Sequence, residues 1–191
     1  MHWSESTYAQ VPIQRGTDEC GADLRMILDA PPRKARCRPL VLGFGNVLLR
    51  DDGAGVQLTA QLQRDLGSGD VDFVDGGTMS FSLLPYIEAC EALLVIDAAD
   101  LAGPPGTVRL FEDLEMDAFL KSTRRRSVHE VGIIDLMDMA RLRGCLPIRR
   151  ALLCIQPGRI DWGEVITLPV AQALPVAALA AKEVLERWTC A

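Results

Sequence analysis

The chain has 191 residues and a net charge of −6, with 26 acidic and 20 basic side chains. This length predicts one domain, and the acidic balance argues against a general nucleic-acid-binding protein, which usually carries a basic excess. Hydrophobic residues make up 49% of the chain, as in ordinary globular proteins, and no apolar run approaches the ~20 residues needed to span a bilayer. We therefore expect a soluble domain.

The first 38 residues differ in composition from the rest of the chain. They contain Pro31 and Pro32 and end in a basic cluster, so we predict a partly flexible N-terminal extension over 1–38 and a single α/β domain over 39–191. The first residues lack the charged and apolar regions of a secretory signal. The sequence contains no C-x-x-C pair, so a thiolate metal site has no support. These features predict a cytoplasmic protein.

From residue 39 onwards, apolar runs alternate with segments of helical spacing. In chain order, the predicted strands are 40–42, 71–74, 92–97, 107–111 and 150–155. The predicted helices are about 53–66, 80–90, 113–121, 130–143 and 174–188, with a polar loop at 122–128. The unbroken apolar run at 92–97 indicates burial on both faces, as in parallel sheets. The alternation predicts a three-layer α/β/α sandwich with a mostly parallel sheet of about five strands.

Three residues with metal-binding side chains fall where such a sheet places its sites, beyond the carboxyl ends of the strands. Asp52 opens the helix after the first strand, Asp97 ends the central strand, and His129 precedes the 130–143 helix. Two carboxylates and an imidazole suit Ni²⁺, Zn²⁺ or a similar divalent ion and leave a coordination position open. Each residue also has a structural interpretation: a helix start for Asp52, a loop cap for Asp97, a surface position for His129.

Other site types fit the sequence less well. The segment Gly43-Phe44-Gly45 begins like a dinucleotide fingerprint, but Leu48 replaces the third glycine and two aspartates follow where a pyrophosphate would lie. No G-x-S-x-G nucleophile motif occurs, and His129-Glu130 lacks the second histidine of a zinc protease at position 133. Cys154 lies in an apolar run and is interpreted as a buried small hydrophobic residue.

Five segments, in order and spanning about 39–188, closely resemble motifs of the [NiFe]-hydrogenase maturation endopeptidases. They are Gly43-Phe-Gly-Asn-Val-Leu-Leu-Arg-Asp-Asp-Gly-Ala-Gly-Val56, Asp75-Gly-Gly-Thr78, Leu94-Val-Ile-Asp-Ala98, Ser127-Val-His-Glu-Val-Gly132 and Cys154-Ile-Gln-Pro157. The resemblance implies an α/β/α sandwich and an enzyme that removes the C-terminal extension of a hydrogenase large-subunit precursor after nickel insertion.

The resemblance also implies roles for individual residues. Asp52, Asp97 and His129 correspond to the metal-contacting catalytic positions, and the nickel is carried by the precursor rather than permanently bound. Some relatives have Glu at the position of Asp52, which changes the reach of the carboxylate by about one C–C bond. The large-subunit precursor is the expected partner; from the charge and the apolar runs we expect no nucleic-acid partner and no membrane insertion.

Four further residues are assigned to the substrate cleft: Asn46, Gly76, Gly77 and Thr78. Glycine lets a substrate strand approach the backbone closely, although these residues also suit a simple turn. The run Arg124-Arg125-Arg126 is interpreted either as a solvated loop or as a contact for an acidic part of the precursor.

Two alternative functions remain open from the sequence. One is a non-catalytic maturation chaperone that binds the large subunit without cutting it. The other is a hydrolase of small amides with a zinc ion of its own.

Overall fold

The computed structural model describes residues 38–67, 69–78, 81–123 and 132–189. Five strands form one sheet in the order β2-β1-β3-β5-β4. They are β1 (Pro39–Phe44), β2 (Asp72–Gly77), β3 (Ala92–Ala98), β4 (Val108–Glu112) and β5 (Arg149–Ile155). Neighbouring strands are parallel except for β4, which runs antiparallel to β5. The prediction of a mostly parallel five-stranded sheet is confirmed.

Helices cover both faces of this sheet. They are α1 (Ala54–Leu66), α2 (Leu84–Ala89), α3 (Asp113–Thr123), α4 (Ile133–Leu142) and α5 (Leu168–Thr189). Side chains of α1 and α5 form one core with the sheet, and those of α2, α3 and α4 form the other. This arrangement is the predicted three-layer sandwich.

The central strand β3 explains why the layers form. Its residues 92–96 are all fully buried, and successive side chains point to opposite faces of a strand. Leu94 and Ile96 therefore pack with α1 and α5, whereas Leu93 and Val95 pack with α2, α3 and α4. Asp97 follows in the second series, so it lies on the α2–α4 side of the sheet.

The last helix is longer than predicted, because α5 begins at Leu168 rather than near 174. Pro169 is tolerated in its first turn, and Val170 and Ala173 are buried in the core. Its 22 residues have a mean hydropathy of 1.4 in an 18-residue window, which meets the length and composition criteria for a membrane-spanning helix. Eight of its side chains are buried in the protein, which accounts for this apolar character.

Other bounds differ by a few residues. Strand β2 continues through Gly77, because Gly43 pairs with Asp75 and Phe44 with Gly77 across a register shift. Helix α3 extends two residues into the predicted loop, and α4 begins at Ile133 rather than 130. The predicted extension, except for Arg38, and the arginine run at 124–126 lie outside the described residues.

Candidate functional site

Asp52 and Asp97 lie on either side of the point where the strand order reverses. The chain leaves β1 to form β2 on one side and later returns to form β3 on the other. In open α/β sheets, ligands bind beyond the carboxyl ends of the strands at such a reversal. Asp52 lies in a 3₁₀ turn, Arg50–Gly53, directly after β1, and Asp97 is the penultimate residue of β3. Both side chains are half-buried. His129 lies outside the described residues.

Helix α1 packs directly on this edge. A Cβ atom at Gly55 would overlap the carbonyl oxygens of Phe44 and Ile96. Phe44 is the last residue of β1, and Ile96 lies two residues before the end of β3. Only a glycine allows the first turn of α1 to come so close to both strands. Gly55 is three residues after Asp52, and Ile96 immediately precedes Asp97. The turn that carries one carboxylate is therefore in contact with the strand that carries the other.

Asn46 orients the carboxylate of Asp52. The Asn46 backbone N–H donates to Asp52 Oδ2 over 2.7 Å, and Asn46 Oδ1 accepts from the Leu48 N–H over 3.0 Å. Gly45 has a φ of +123°, and a Cβ there would overlap the Asp52 carbonyl group. Asn46, which the sequence assigns to the substrate cleft, thus contacts the predicted site residue Asp52.

The adjacent Asp51 is a residue that the sequence interpretation missed. It is completely buried, and its two oxygens accept hydrogen bonds from the backbone N–H groups of Gly158, Arg159 and Thr167 and from the Thr167 hydroxyl, over 2.6–2.9 Å. Burial alone would raise its pKa, but these hydrogen bonds together hold the pKa below its usual value. Ionised Asp51 therefore fastens the β1–α1 turn to the segment that follows β5.

Asp51 and Asp52 both lie in the first turn after β1, as the helix-start interpretation of Asp52 expects, but neither caps a helix. Neither the 3₁₀ turn nor α1 has a side-chain cap at its N-terminus. Asp51 bonds to a distant segment and Asp52 to the preceding turn. No local pattern distinguishes the two, since the partners of Asp51 are more than 100 residues away.

The segment after β3 is held by the neighbouring strand. Gln156 Oε1, just beyond β5, accepts hydrogen bonds from the N–H groups of Leu101 (2.6 Å) and Gly103 (3.5 Å). Cys154 pairs with Asp97 in the sheet register and is completely buried, as predicted. Burial and, to a lesser degree, the negative charge of Asp97 raise the pKa of the Cys154 thiol far above its usual value. This thiol remains protonated and is unsuited to act as a nucleophile.

Gly76 and Gly77 join the end of β2 to the turn after β1. A Cβ at Gly76 would lie 3.0 Å from the Gly43 carbonyl oxygen, and the Gly77 carbonyl accepts from the Gly45 N–H over 3.0 Å. Gly77 itself has a φ of +48°, where glycine is favoured. Thr78 is exposed at this edge. These contacts explain the turn; a contact of Gly76, Gly77 or Thr78 with substrate stays a prediction.

Metal-binding side chains do not cluster within the described part of the chain. Across 38–67, 69–78, 81–123 and 132–189, no three His, Cys, Asp or Glu residues are close enough to hold a metal ion together. Because His129 lies in the gap at 124–131, the complete trio stays a prediction.

The chain is similar to known proteins of hydrogenase maturation. Residues 56–184 match the hydrogenase maturation protease family. The hydrogenase expression/formation protein HupD of Rhodobacter capsulatus is 36% identical over 153 residues, which are 79% of this chain and 72% of HupD. HoxM of Cupriavidus necator is 34% identical over 151 residues, or 78% and 74% of the two chains. The structure of the hydrogenase maturating endopeptidase HybD from Escherichia coli superimposes with a TM-score of 0.71 at 28% identity, covering 78% of this chain and 93% of HybD.

Proposed function

Because the chain belongs to the hydrogenase maturation protease family, we propose that it is an endopeptidase that removes the C-terminal extension of a nickel-loaded [NiFe]-hydrogenase large-subunit precursor. The observation that carries the proposal is the placement of Asp52 and Asp97 at the strand-order reversal, with Gly55 packed between their two segments. In open α/β sheets, substrates bind at such a reversal.

In this proposal, Asp52, Asp97 and His129 contact the nickel ion that the precursor brings. Two carboxylates and one imidazole provide three ligands and leave the rest of the coordination shell to the precursor. Structural ions are usually enclosed by four protein ligands, whereas open sets suit an ion that must contact a substrate. Nickel held in this way can polarise the scissile carbonyl group or activate a water molecule.

The direction of α4 supports the inclusion of His129. The end of α4 lies near the amino edge of the sheet, since Arg143 forms an ion pair with Glu88, shortly before β3 begins. Helix α4 therefore begins at the carboxyl edge, and its residues pack on the side of the sheet that carries Asp97. His129 precedes Gly132 by three residues. Because three residues of extended chain span at most about 11 Å, the chain keeps His129 within that distance of the start of α4.

The test compares nickel-loaded and nickel-free precursor as substrates, with the mass of the large subunit as the measurement. We expect the wild-type protein to shorten only the nickel-loaded form. His129→Ala, Asp52→Ala and Asp97→Ala should fold but process this precursor more than ~100-fold more slowly, because a metal contact is lost. His2→Ala, at the other histidine, and Asp70→Ala, at an exposed aspartate before β2, are matched controls.

Two results would contradict the proposal. Processing of nickel-free precursor at the same rate would remove the role of nickel, and wild-type processing by His129→Ala would remove that of the imidazole. A stable complex without any shortened product would indicate the chaperone function instead. Asp52→Glu keeps the carboxylate but lengthens its reach, so we expect it to retain more activity than Asp52→Ala.

A further inference from the structure

Exposed apolar side chains cluster beside the candidate site. The described part of the chain has 14 exposed large hydrophobic residues, and six of them lie in two short segments at the carboxyl edge. We call these six the apolar rim: Val47, Leu48, Ile160, Trp162, Val165 and Leu168. Single exposed apolar residues are normal in soluble proteins, whereas a cluster of them marks an interaction site.

The two segments of the rim are joined through their backbones. Leu49 and Gly163 form a parallel bridge, in which the Arg50 N–H donates to the Gly163 carbonyl over 2.7 Å and the Gly163 N–H donates to the Leu48 carbonyl over 2.9 Å. Leu48 and Trp162 therefore lie directly before the two bridged residues, one in each segment. Trp162 is 78% exposed and Leu48 46%. An exposed apolar side chain therefore lies on each side of the bridge.

Buried and paired charges hold the rim in place. The four hydrogen bonds of Asp51 fix the segment of Leu48 to that of Trp162, since Asp51 follows Leu48 by three residues and its partners lie before and after Trp162. Asp161 accepts from Arg50 and from Arg159, each over 2.6 Å. Trp162 is thus presented by an ordered backbone, which lowers the entropy lost when a partner binds.

We propose that the apolar rim is a docking surface for the hydrogenase large-subunit precursor, with Trp162 and Leu48 binding an apolar segment close to the scissile bond. This inference rests on the proposed function. A polypeptide bound at Asp52 would lie beside the rim, because Asp52 follows Leu48 by only four residues.

The chemistry of the rim favours an apolar segment over a charged one. Arg50 and Arg159 are already paired with Asp161, so beside the apolar side chains this segment adds only the exposed Glu164, a negative charge that disfavours an acidic partner segment. Tryptophan is enriched among residues that dominate the binding energy of protein interfaces. The rim therefore supplies affinity for the precursor, while the carboxylates contact its metal.

The experiment measures the Kd of the full chain for purified nickel-loaded precursor, together with kcat and KM for processing. We expect Trp162→Ala to raise Kd and KM about tenfold or more, with kcat unchanged. Leu48→Ala should have a smaller effect, and the double variant should lose less than the product of the single losses because the two residues bind the same segment. Ile148→Ala, at an 86% exposed residue just before β5 at the opposite edge, is the matched control.

The outcomes separate this inference from the protease proposal. Unchanged Kd in Trp162→Ala and Leu48→Ala would overturn the docking surface, even if the precursor is still cut. Binding that weakens in these variants without any cleavage by the wild-type protein would support the surface and contradict the protease. Sedimentation of the chain alone tests whether a second copy of the chain binds the rim instead. A dimer that Trp162→Ala dissociates, with precursor binding unchanged, would also overturn the inference. Leu48→Ala decides the result if Trp162→Ala lowers the unfolding midpoint.

Discussion

Two buried charged side chains lie at opposite ends of β5 and are stabilised in different ways. At the carboxyl end, Asp51 receives four hydrogen bonds, all from uncharged donors. At the amino end, Arg150 forms an ion pair with Asp117, with N–O distances of 3.1 and 2.7 Å, and also donates to the carbonyls of Pro147 and Ile148. A buried charge needs such partners, because removal from water is otherwise costly.

The difference follows the proposed function of the two edges. At the carboxyl edge, backbone N–H groups satisfy Asp51 without a cation, and the nearby arginines 50 and 159 are both bound to Asp161. Asp52 and Asp97, the carboxylates that the proposal assigns to the metal cation, lie at this same edge. At the amino edge, away from the proposed site, Arg150 and Asp117 join β5 to α3.

The largest expected decrease in stability follows the substitution of Asp51. In Asp51→Ala, buried donors of Gly158, Arg159 and Thr167 lose their acceptor, so we expect the free energy of unfolding to fall by about 3–5 kcal/mol. Asp51→Asn keeps one acceptor oxygen and should lose roughly 2–3 kcal/mol. Urea denaturation measures both. A loss below ~1 kcal/mol in Asp51→Ala would show that the bonds to the segment after β5 contribute little to stability.

The ion pair at the opposite edge should matter less, because its side chains are 10% and 13% exposed rather than fully buried. We expect Asp117→Leu and Arg150→Met each to lower the free energy of unfolding by roughly 2–3 kcal/mol. The double variant should lose at least ~1 kcal/mol less than the sum, since no unpaired charge remains. Asp65→Ala removes the more exposed pair with Lys182 and is the control, with an expected loss below ~1 kcal/mol.

Variants at the two edges of the sheet should also differ in how fast they process the precursor. The Asp117→Leu and Arg150→Met variants should process the precursor within about twofold of the wild-type rate at a temperature where they are folded, because the pair lies at the edge away from Asp52 and Asp97. The Asp51 variants should lose activity even when folded, since their substitution frees the turn that orients Asp52. Equal activity losses at the two edges would contradict the distinction.

Local patterns in the sequence predict much of the fold but not this distinction. The apolar run at 92–97 predicts β3 because it depends only on neighbouring residues. The position of Asp52 and Asp97 at one edge of the sheet could be predicted because it follows from the general topology of α/β sheets. Asp51 and Asp52 look equivalent in sequence, since the partners of Asp51 lie 107–116 residues away. The antiparallel pairing of β4 and the early start of α5 also depend on long-range packing, which composition and periodicity do not contain.

The smallest expected effect is a difference in how pH and salt act on the two carboxylates. Hydrogen bonds hold the pKa of Asp51 below its usual value despite burial, and the Arg150 hydrogen bond does so for Asp117, helped by the charges of Arg150, Arg141 and Lys121. A carboxyl group with a lowered pKa in the folded state contributes stability above about pH 4, and this contribution is lost as the pH falls through the folded-state pKa. The difference in free energy of unfolding between wild type and Asp51→Asn should therefore narrow below about pH 4, and so should the difference between wild type and Asp117→Asn.

Salt should act on only one of these two differences. Raising the ionic strength at pH 6 should reduce the Asp117 gap, by a few tenths of a kcal/mol, because salt screens the partly exposed Arg141 but not the bonds of Asp51 to neutral donors. Urea denaturation at low and high salt measures both gaps, and an equal response to salt would mean that a cation contributes to the environment of Asp51 after all.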